Sequence, residues 1–265
     1  MLRWLSRLVN RGTVEPWVVP VPYIDVHAHV LPGVDDGPAT MDDAVALVRQ
    51  AAALGVTHII AAAHAGERYG TGSEAVSSAM TALAAALAAA KVPVTLVLGR
   101  EVMFTDELLV RVPREAGLRI AGGQYALLEL PEGLNQTTAS EGFALLKAAG
   151  VRPILAHPER TWLVQHRPEL ANNFRLHGVL VQVNASSIAG AWGSSTRRTA
   201  WRLLEDDAVD LLASDAHGPR DYDLFDSACS RVAHAFEPER LRRLIRDVPA
   251  LVAGLTLDGV QRQPC

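Results

Sequence analysis

The sequence predicts one α/β domain built on a parallel sheet or barrel. Short apolar runs alternate with longer helical patterns, which is the signature of repeated βαβ units. The 265 residues, 49% hydrophobic and 20% charged, suffice for one large core, and no Ser/Gly-rich or Pro-rich linker divides them. Metal-capable side chains fall at the C-terminal ends of the apolar runs, the end at which barrels of this class assemble their active sites.

In chain order, residues 1–21 come first, where MLRWLSRLVNRG interleaves Arg3, Arg7 and Arg11 with Leu2, Trp4, Leu5 and Leu8. This reads as an amphipathic extension, too short and too polar for a signal peptide or a membrane span. Docking on the body of the protein or on a second subunit explains it, which leaves room for a homo-oligomer. The expected domain occupies 22–265. Its strands are YIDVHAHV, THIIAAAH, TLVLGREV, YALLELP, RPILAH, VLVQVNAS and DLLASDAH, each a short run suited to burial on both faces. Between them, TMDDAVALVRQAAALG predicts a helix with Thr40 as N-cap, Asp43 three residues on, and Gly55 as its stop. The Ala-rich stretch from Ala82 to Ala90 predicts a plain helix.

Several function classes are excluded by composition and pattern. A net charge of -4 gives no footprint for nucleic acid. Two cysteines, Cys229 and Cys265, fit a reducing compartment and hence a cytoplasmic protein without a disulfide framework. Cys229 is followed by SRVAHA, so there is no C-x5-R cysteine phosphatase motif. GVDDG is not a phosphate-cradling glycine loop, and the GSS at 193–195 has no nucleophile-elbow context.

What remains is a cluster of potential ligands. His27 and His29 end the first run, His64 the second, Glu101 the third, Glu129 the fourth and His157 the fifth, with Asp215 and His217 at the last. Strand side chains alternate with period 2, so His27 and His29 face one side, as do Asp215 and His217. An H-x-H and a D-x-H among so many strand-end ligands point to a metal site. Imidazoles and carboxylates without thiolate suit manganese, iron or zinc. His58, His166, His177 and His234 read as ordinary hydrogen-bonded histidines. Asp25 is open between a ligand and a partner that orients a histidine.

Taken together, DVHAHVLPGVDDGPATMDDA, GREV, LLELP, AHPERT, VQVNASSIAGAWG and ASDAH resemble the polymerase and histidinol phosphatase (PHP) superfamily of metallophosphoesterases. Within it, the chain is most similar to the bacterial tyrosine-protein phosphatases of capsule and exopolysaccharide operons. The resemblance implies a single-domain, distorted TIM-like (β/α)7 barrel holding three divalent ions, manganese first, with iron or zinc as alternatives. On matching positions, His27, His29, Glu101 and Asp215 would hold one ion. Glu101, Glu129 and His157 would hold a second, and Asp36, His64 and His217 a third. The implied catalytic residues are Glu101, Asp215 and Arg160, the last gripping phosphoryl oxygens while a metal-activated hydroxide attacks phosphotyrosine. The implied partner is a phosphotyrosine protein, a membrane-associated tyrosine autokinase. Two departures bear on phosphate binding: Ala65 and Gly66 follow His64, and Tyr222 stands where many relatives carry arginine, with Arg220 or Arg68 as the nearest substitutes. The alternatives are a PHP phosphoesterase acting on a small ester such as histidinol phosphate or a nucleotide, and a metal-binding regulator without turnover.

Overall fold

Seven parallel strands pair in simple sequence order, each with the next, in the computed structural model, which describes residues 23–66 and 72–256. The strands are β1 (Tyr23–Ala28), β2 (Val56–Ala65), β3 (Thr95–Met103), β4 (Tyr125–Glu129), β5 (Arg152–Ala156), β6 (Leu180–Asn184) and β7 (Leu211–Ala213). All seven expected apolar runs are strands. The expected extension at 1–21, Arg68 and Cys265 lie outside the described residues.

Among the described residues eleven α-helices join and cover the strands: α1 (Met41–Ala53), α2 (Ser73–Ala89), α3 (Asp106–Arg111), α4 (Gln136–Ala148), α5 (Trp162–His166), α6 (Glu169–Leu176), α7 (Ala185–Ala189), α8 (Gly193–Glu205), α9 (Pro219–Ala235), α10 (Pro238–Arg242) and α11 (Val248–Val252). Helix α1 starts as its sequence predicts, with the Thr40 hydroxyl accepting from Asp43 N at 3.2 Å. Gly55 follows its end at φ 90°, a conformation that suits glycine. Among the described residues no helix is long and apolar enough to cross a membrane.

Alternation along the strands divides the apolar residues between inside and outside. Ile24, Val26, Ile60, Ala62, Leu127, Ile154, Ala156, Leu211 and Ala213 fill the barrel, and Ala250 and Val252 of α11 pack with them. The opposite strand faces pack beneath two helical layers. In one of these, Phe143 of α4 meets Phe104 and Phe174 edge-on, with centroids 5.3 and 5.2 Å apart, the geometry aromatic quadrupoles favour.

The barrel is nearly closed, and its closure lies at its C-terminal end. β7 is only three residues long, and the chain beyond it meets β1 through an isolated bridge, Ala28 to Ala216. Two backbone hydrogen bonds make this seam: Asp215 N to His27 O and His29 N to Ala216 O, both 2.8 Å. The pairings Asp25 with Ile59 and Ala28 with Ala61 leave β1 one residue longer than β2 over that interval. This bulge re-aims side chains near the strand end.

Asp25 ties the seam from beneath. Its carboxylate accepts from Ser214 Oγ (2.5 Å), Ser214 N (3.1 Å), His27 N (3.3 Å) and the Tyr222 hydroxyl of α9 (2.9 Å). Burial pushes the Asp25 carboxyl up despite these bonds. Tyr222→Phe removes one donor from a fully buried acceptor. We expect a stability loss of about 1–3 kcal/mol by urea unfolding at fixed metal content; a change within experimental error would mean that Tyr222 contributes packing alone.

Candidate metal centre

The nine residues expected as ligands come together at the C-terminal mouth of the barrel. They do so partly through strained backbone: His157 has φ 30° and Asp215 φ 52°, left-handed conformations that cost about 1–3 kcal/mol outside glycine. Ala156 packs inside the barrel, so simple alternation would turn His157 outward. The left-handed turn instead brings its Nε2 to Glu101 Oε1 at 2.8 Å.

Four donor atoms form the most buried group: His27 Nε2, His29 Nε2, Glu101 Oε2 and Asp215 Oδ1. The two nitrogens are 3.2 Å apart, and each lies 3.3 Å from the Glu101 oxygen and 3.4 Å from the Asp215 oxygen. The donors of His27, His29 and Glu101, 3.2–3.3 Å apart, can all lie about 2.0–2.1 Å from one point, the bond length of a divalent ion to nitrogen or oxygen, with Asp215 Oδ1 beside both nitrogens. The side chains therefore fit an ion. Glu101 faces two ways, since Oε2 also lies 3.2 Å from His64 Nδ1 while Oε1 meets His157.

Three sets of side chains can each converge on one point: His27, His29 and Glu101; His64, Glu101 and Glu129; and His29, Asp36, His64 and His217. In the last, Asp36 Oδ1 lies 3.3 Å from His217 Nε2 and 3.6 Å from His64 Nε2. His64 thus presents a nitrogen to each of two neighbouring sets. Its backbone is held by buried Arg100 of β3, which donates to Ala63 O (3.0 Å) and His64 O (2.6 Å).

Hydrogen bonds at the far nitrogens aim these rings. His29 Nδ1 donates to Asp35 Oδ2 at 2.8 Å, and Asp35 also accepts from His64 N and Gly37 N. A Cβ on Gly37 would lie 2.5 Å from His29 O, so only glycine lets this loop close over the ring. The adjacent aspartates divide their labour: the Asp35 side chain is covered and orients His29, while that of Asp36 is 47% exposed. On the other side, His27 Nδ1 donates to Gln182 Oε1 (3.0 Å), Gln182 Nε2 to Asn184 Oδ1 (2.7 Å) and Asn184 Nδ2 to Asp215 Oδ2 (2.6 Å). This chain runs in one direction from a ring to a carboxylate. Strand β6 supplies its two amides and none of the nine.

Charge in the site is balanced locally. Burial opposes charge on His27, but Glu101 and Asp215 outweigh it and raise its pKa to about 9. His29 and His157 are raised against burial in the same way, by Asp215 and Glu101 respectively. Burial works against ionising Glu101 and Asp215 too, yet His27 and the other imidazoles hold both carboxyls low. Burial, and then the neighbouring Glu101 charge, push Glu129 up.

Asp36, His64, Glu101, Glu129, His157, Asp215 and His217 line a cleft of about 530 Å³, with Arg160, Trp192 and Leu224 among its other lining residues. Arg160 Nη1 donates to Asp215 Oδ2 at 3.1 Å. Tyr222, where an arginine was expected by resemblance, is wholly buried on Asp25, so that position faces away from the cleft. Arg220 is exposed and is not among the lining residues. Asp25 is no ligand candidate, because the bulge turns its carboxylate to Ser214 and Tyr222; it holds the His27 backbone, not the ring. The remaining histidines bond locally: His58 with the Thr57 hydroxyl, and His166, His177 and His234 with carbonyls one turn back. Sequence reasoning missed Asp35, Gln182 and Asn184. The doubled aspartate was the one available signal.

Residues 23–252 match the family described as capsular polysaccharide synthesis, CpsB/CapC. The chain belongs to this family. It is 30% identical over 195 residues to tyrosine-protein phosphatase YwqE of Bacillus subtilis, covering 73% of this chain and 77% of that one. Identity to tyrosine-protein phosphatase CpsB of Streptococcus pneumoniae is 22% over 200 residues, 73% of this chain and 82% of that one. A crystal structure from work on those two proteins, described as metal-dependent tyrosine phosphatases, superposes with a TM-score of 0.80 at 26% identity, over 91% of this chain and 97% of that one. The PHP-type barrel and the capsule-phosphatase kinship expected from the motifs are thereby borne out.

The raised His27 pKa has a consequence for metal-free protein. A histidine whose pKa climbs from about 6.5 unfolded to about 9 folded adds stability that is fully present below about pH 6.5 and lost as pH rises through 9. Chelator-treated protein should lose on the order of 3 kcal/mol from this group between pH 6.5 and 9.5. Urea unfolding across that range tests it, and His27→Gln should flatten the slope. A flat wild-type profile would contradict the charge balance described.

Proposed function

We infer that this chain is a metal-dependent protein-tyrosine phosphatase. The observation that carries the reading is the convergence of the His27, His29 and Glu101 donors, with Asp215 beside them, at an open cleft lined by Glu101 and Asp215, in a chain whose relatives carry that activity in their names. In this reading those four residues hold one ion. Glu101, Glu129 and His157 hold a second, and Asp36, His64 and His217 a third. Donors of this mixture, with no thiolate, favour manganese, with iron or zinc as the alternatives.

Bound divalent cations supply Lewis acidity at the phosphoryl oxygens and lower the pKa of water toward neutrality. The protein's own groups do the rest. Glu101 offers one oxygen to each of two sides, which fixes the spacing of the sites it joins. Asp215, kept charged by the imidazoles, gives Oδ1 to the donor set and Oδ2 to Asn184 and Arg160. Arg160 presents a planar fork suited to two phosphoryl oxygens. The phenol of tyrosine, with a pKa of about 10, departs with less proton donation than an alkoxide requires. Cys229 takes no part, since it is buried in α9 and burial pushes its thiol far up. The substrate in this reading is a membrane-associated tyrosine autokinase, met in the cytoplasm, and the role is control of capsule or exopolysaccharide synthesis.

The test is metal analysis of the purified chain combined with turnover of phosphotyrosine peptide, phosphoserine peptide and histidinol phosphate with manganese added back. Preference for histidinol phosphate would transfer the site to small esters, and no turnover of any would leave a regulator. Chelation should abolish hydrolysis while Cys229→Ser retains it. Glu101→Gln should deplete two ions and lower kcat at least about 100-fold, roughly 2.7 kcal/mol of barrier; full metal content and a normal rate would refute the bridging role. Arg160→Ala should raise KM and lower kcat, with Arg160→Lys restoring only part. Wild-type constants in Arg160→Ala would remove Arg160 from the phosphate site.

A further inference from the structure

An indole stands at the side of the cleft, and the reaction as described gives it no part. Gly190 (φ 98°) and Gly193 (φ 87°) bracket Ala191 and Trp192 in the link from α7 to α8, and this tight turn sets Trp192 at the rim. The indole Nε1 donates to Ser186 Oγ at 3.0 Å, which fixes one edge of the ring. Half of the residue nonetheless remains exposed, at 51%. The Arg160 guanidinium lies over the indole, its carbon 3.9 Å from the ring centroid, in cation–π geometry. The same guanidinium donates to Asp215. Trp192 therefore lies one residue away from the metal-binding carboxylates, and with Ala191 and Leu224 it makes the apolar part of a lining that is otherwise charged or polar.

We propose that Trp192 is the aryl-recognition residue of this site, the wall against which the substrate's phenol ring packs. The inference rests on the phosphatase reading above and deepens it. A phosphoryl group drawn to the cation-binding donors and Arg160 leaves its ester oxygen directed toward the mouth of the cleft. The substituent on that oxygen then meets the apolar part of the lining. A phenol ring stacks on an indole with a preference of about tenfold beyond simple burial, and an ester without a ring gains nothing there. A purely positional duty toward Arg160 predicts something different, an equal loss for every phosphate ester.

The experiment compares kcat/KM for a phosphotyrosine peptide and for acetyl phosphate, which carries a good leaving group and no ring, using the full manganese-loaded chain and its Trp192→Phe and Trp192→Ala variants. The ratio of the two should fall about tenfold in Trp192→Ala, chiefly through KM for the peptide, and Trp192→Phe should recover most of it. Phenylphosphonate should inhibit wild type more strongly than methylphosphonate, and Trp192→Ala should erase that preference. Should Trp192→Ala not fold, Trp192→Leu serves the same comparison. An unchanged ratio, however far both rates fall, overturns the proposal and assigns the indole to holding Arg160. Wild type that turns over acetyl phosphate but not phosphotyrosine would instead sink the substrate reading, and with it this inference.

Discussion

Two carboxylates buried at the C-terminal mouth of the barrel govern the rest of this structure. Glu101 and Asp215 are 1% and 8% exposed, and a carboxylate removed from water costs several kcal/mol unless positive charge meets it. That charge has two sources here, the imidazoles of His27, His29 and His157, whose pKa values the acids raise, or bound cations. Both need the same arrangement: histidines drawn around two acids at fixed spacing. The left-handed backbone at His157 and Asp215, the covered Asp35 and the bulge in β1 all make sense as means to that arrangement.

The seam explains why the arrangement is rigid. A seven-stranded barrel whose last strand is three residues long has little ladder with which to close itself. Closure falls to two backbone bonds, one leaving Asp215 and one leaving His29, so the residues that complete the barrel are the residues that carry donors. The Asp25 carboxylate then ties β1, the chain after β7 and helix α9 together immediately below. Packing of the barrel interior with Ile, Leu, Val and Ala stabilises the remainder without sharing any of these groups.

Much of this was legible in the sequence because it depends on local rules. Short continuous apolar runs mark strands buried on both faces whatever their neighbours, and histidines and acids at their C-terminal ends mark the catalytic mouth. What escaped depends on contacts distant in sequence or on backbone departures from those rules. Gln182 lies 155 residues from His27, and Tyr222 lies 197 from Asp25; no pattern within a strand announces either pair. Asp25 shares the parity of His27 and His29 on paper, and only the extra residue in β1 removes it from their group. Asp35 and Asp36 are alike in sequence, and the Gly37 turn decides which one is covered.

The bonds on Asp215 also show how Arg160 can serve two partners in turn. Its guanidinium is 29% exposed and rests on a carboxylate oxygen that Asn184 holds more tightly, at 2.6 Å against 3.1 Å. If Arg160 turns toward a phosphoryl group, Asp215 Oδ2 keeps its amide donor, and no buried oxygen is left without a partner. Asn184 is fixed in that duty because Gln182 and His27 settle which way its amide faces. The amide chain of β6, which supplies none of the nine expected ligands, would thus leave the arginine free for the phosphate role proposed for it while the carboxylate beneath stays satisfied.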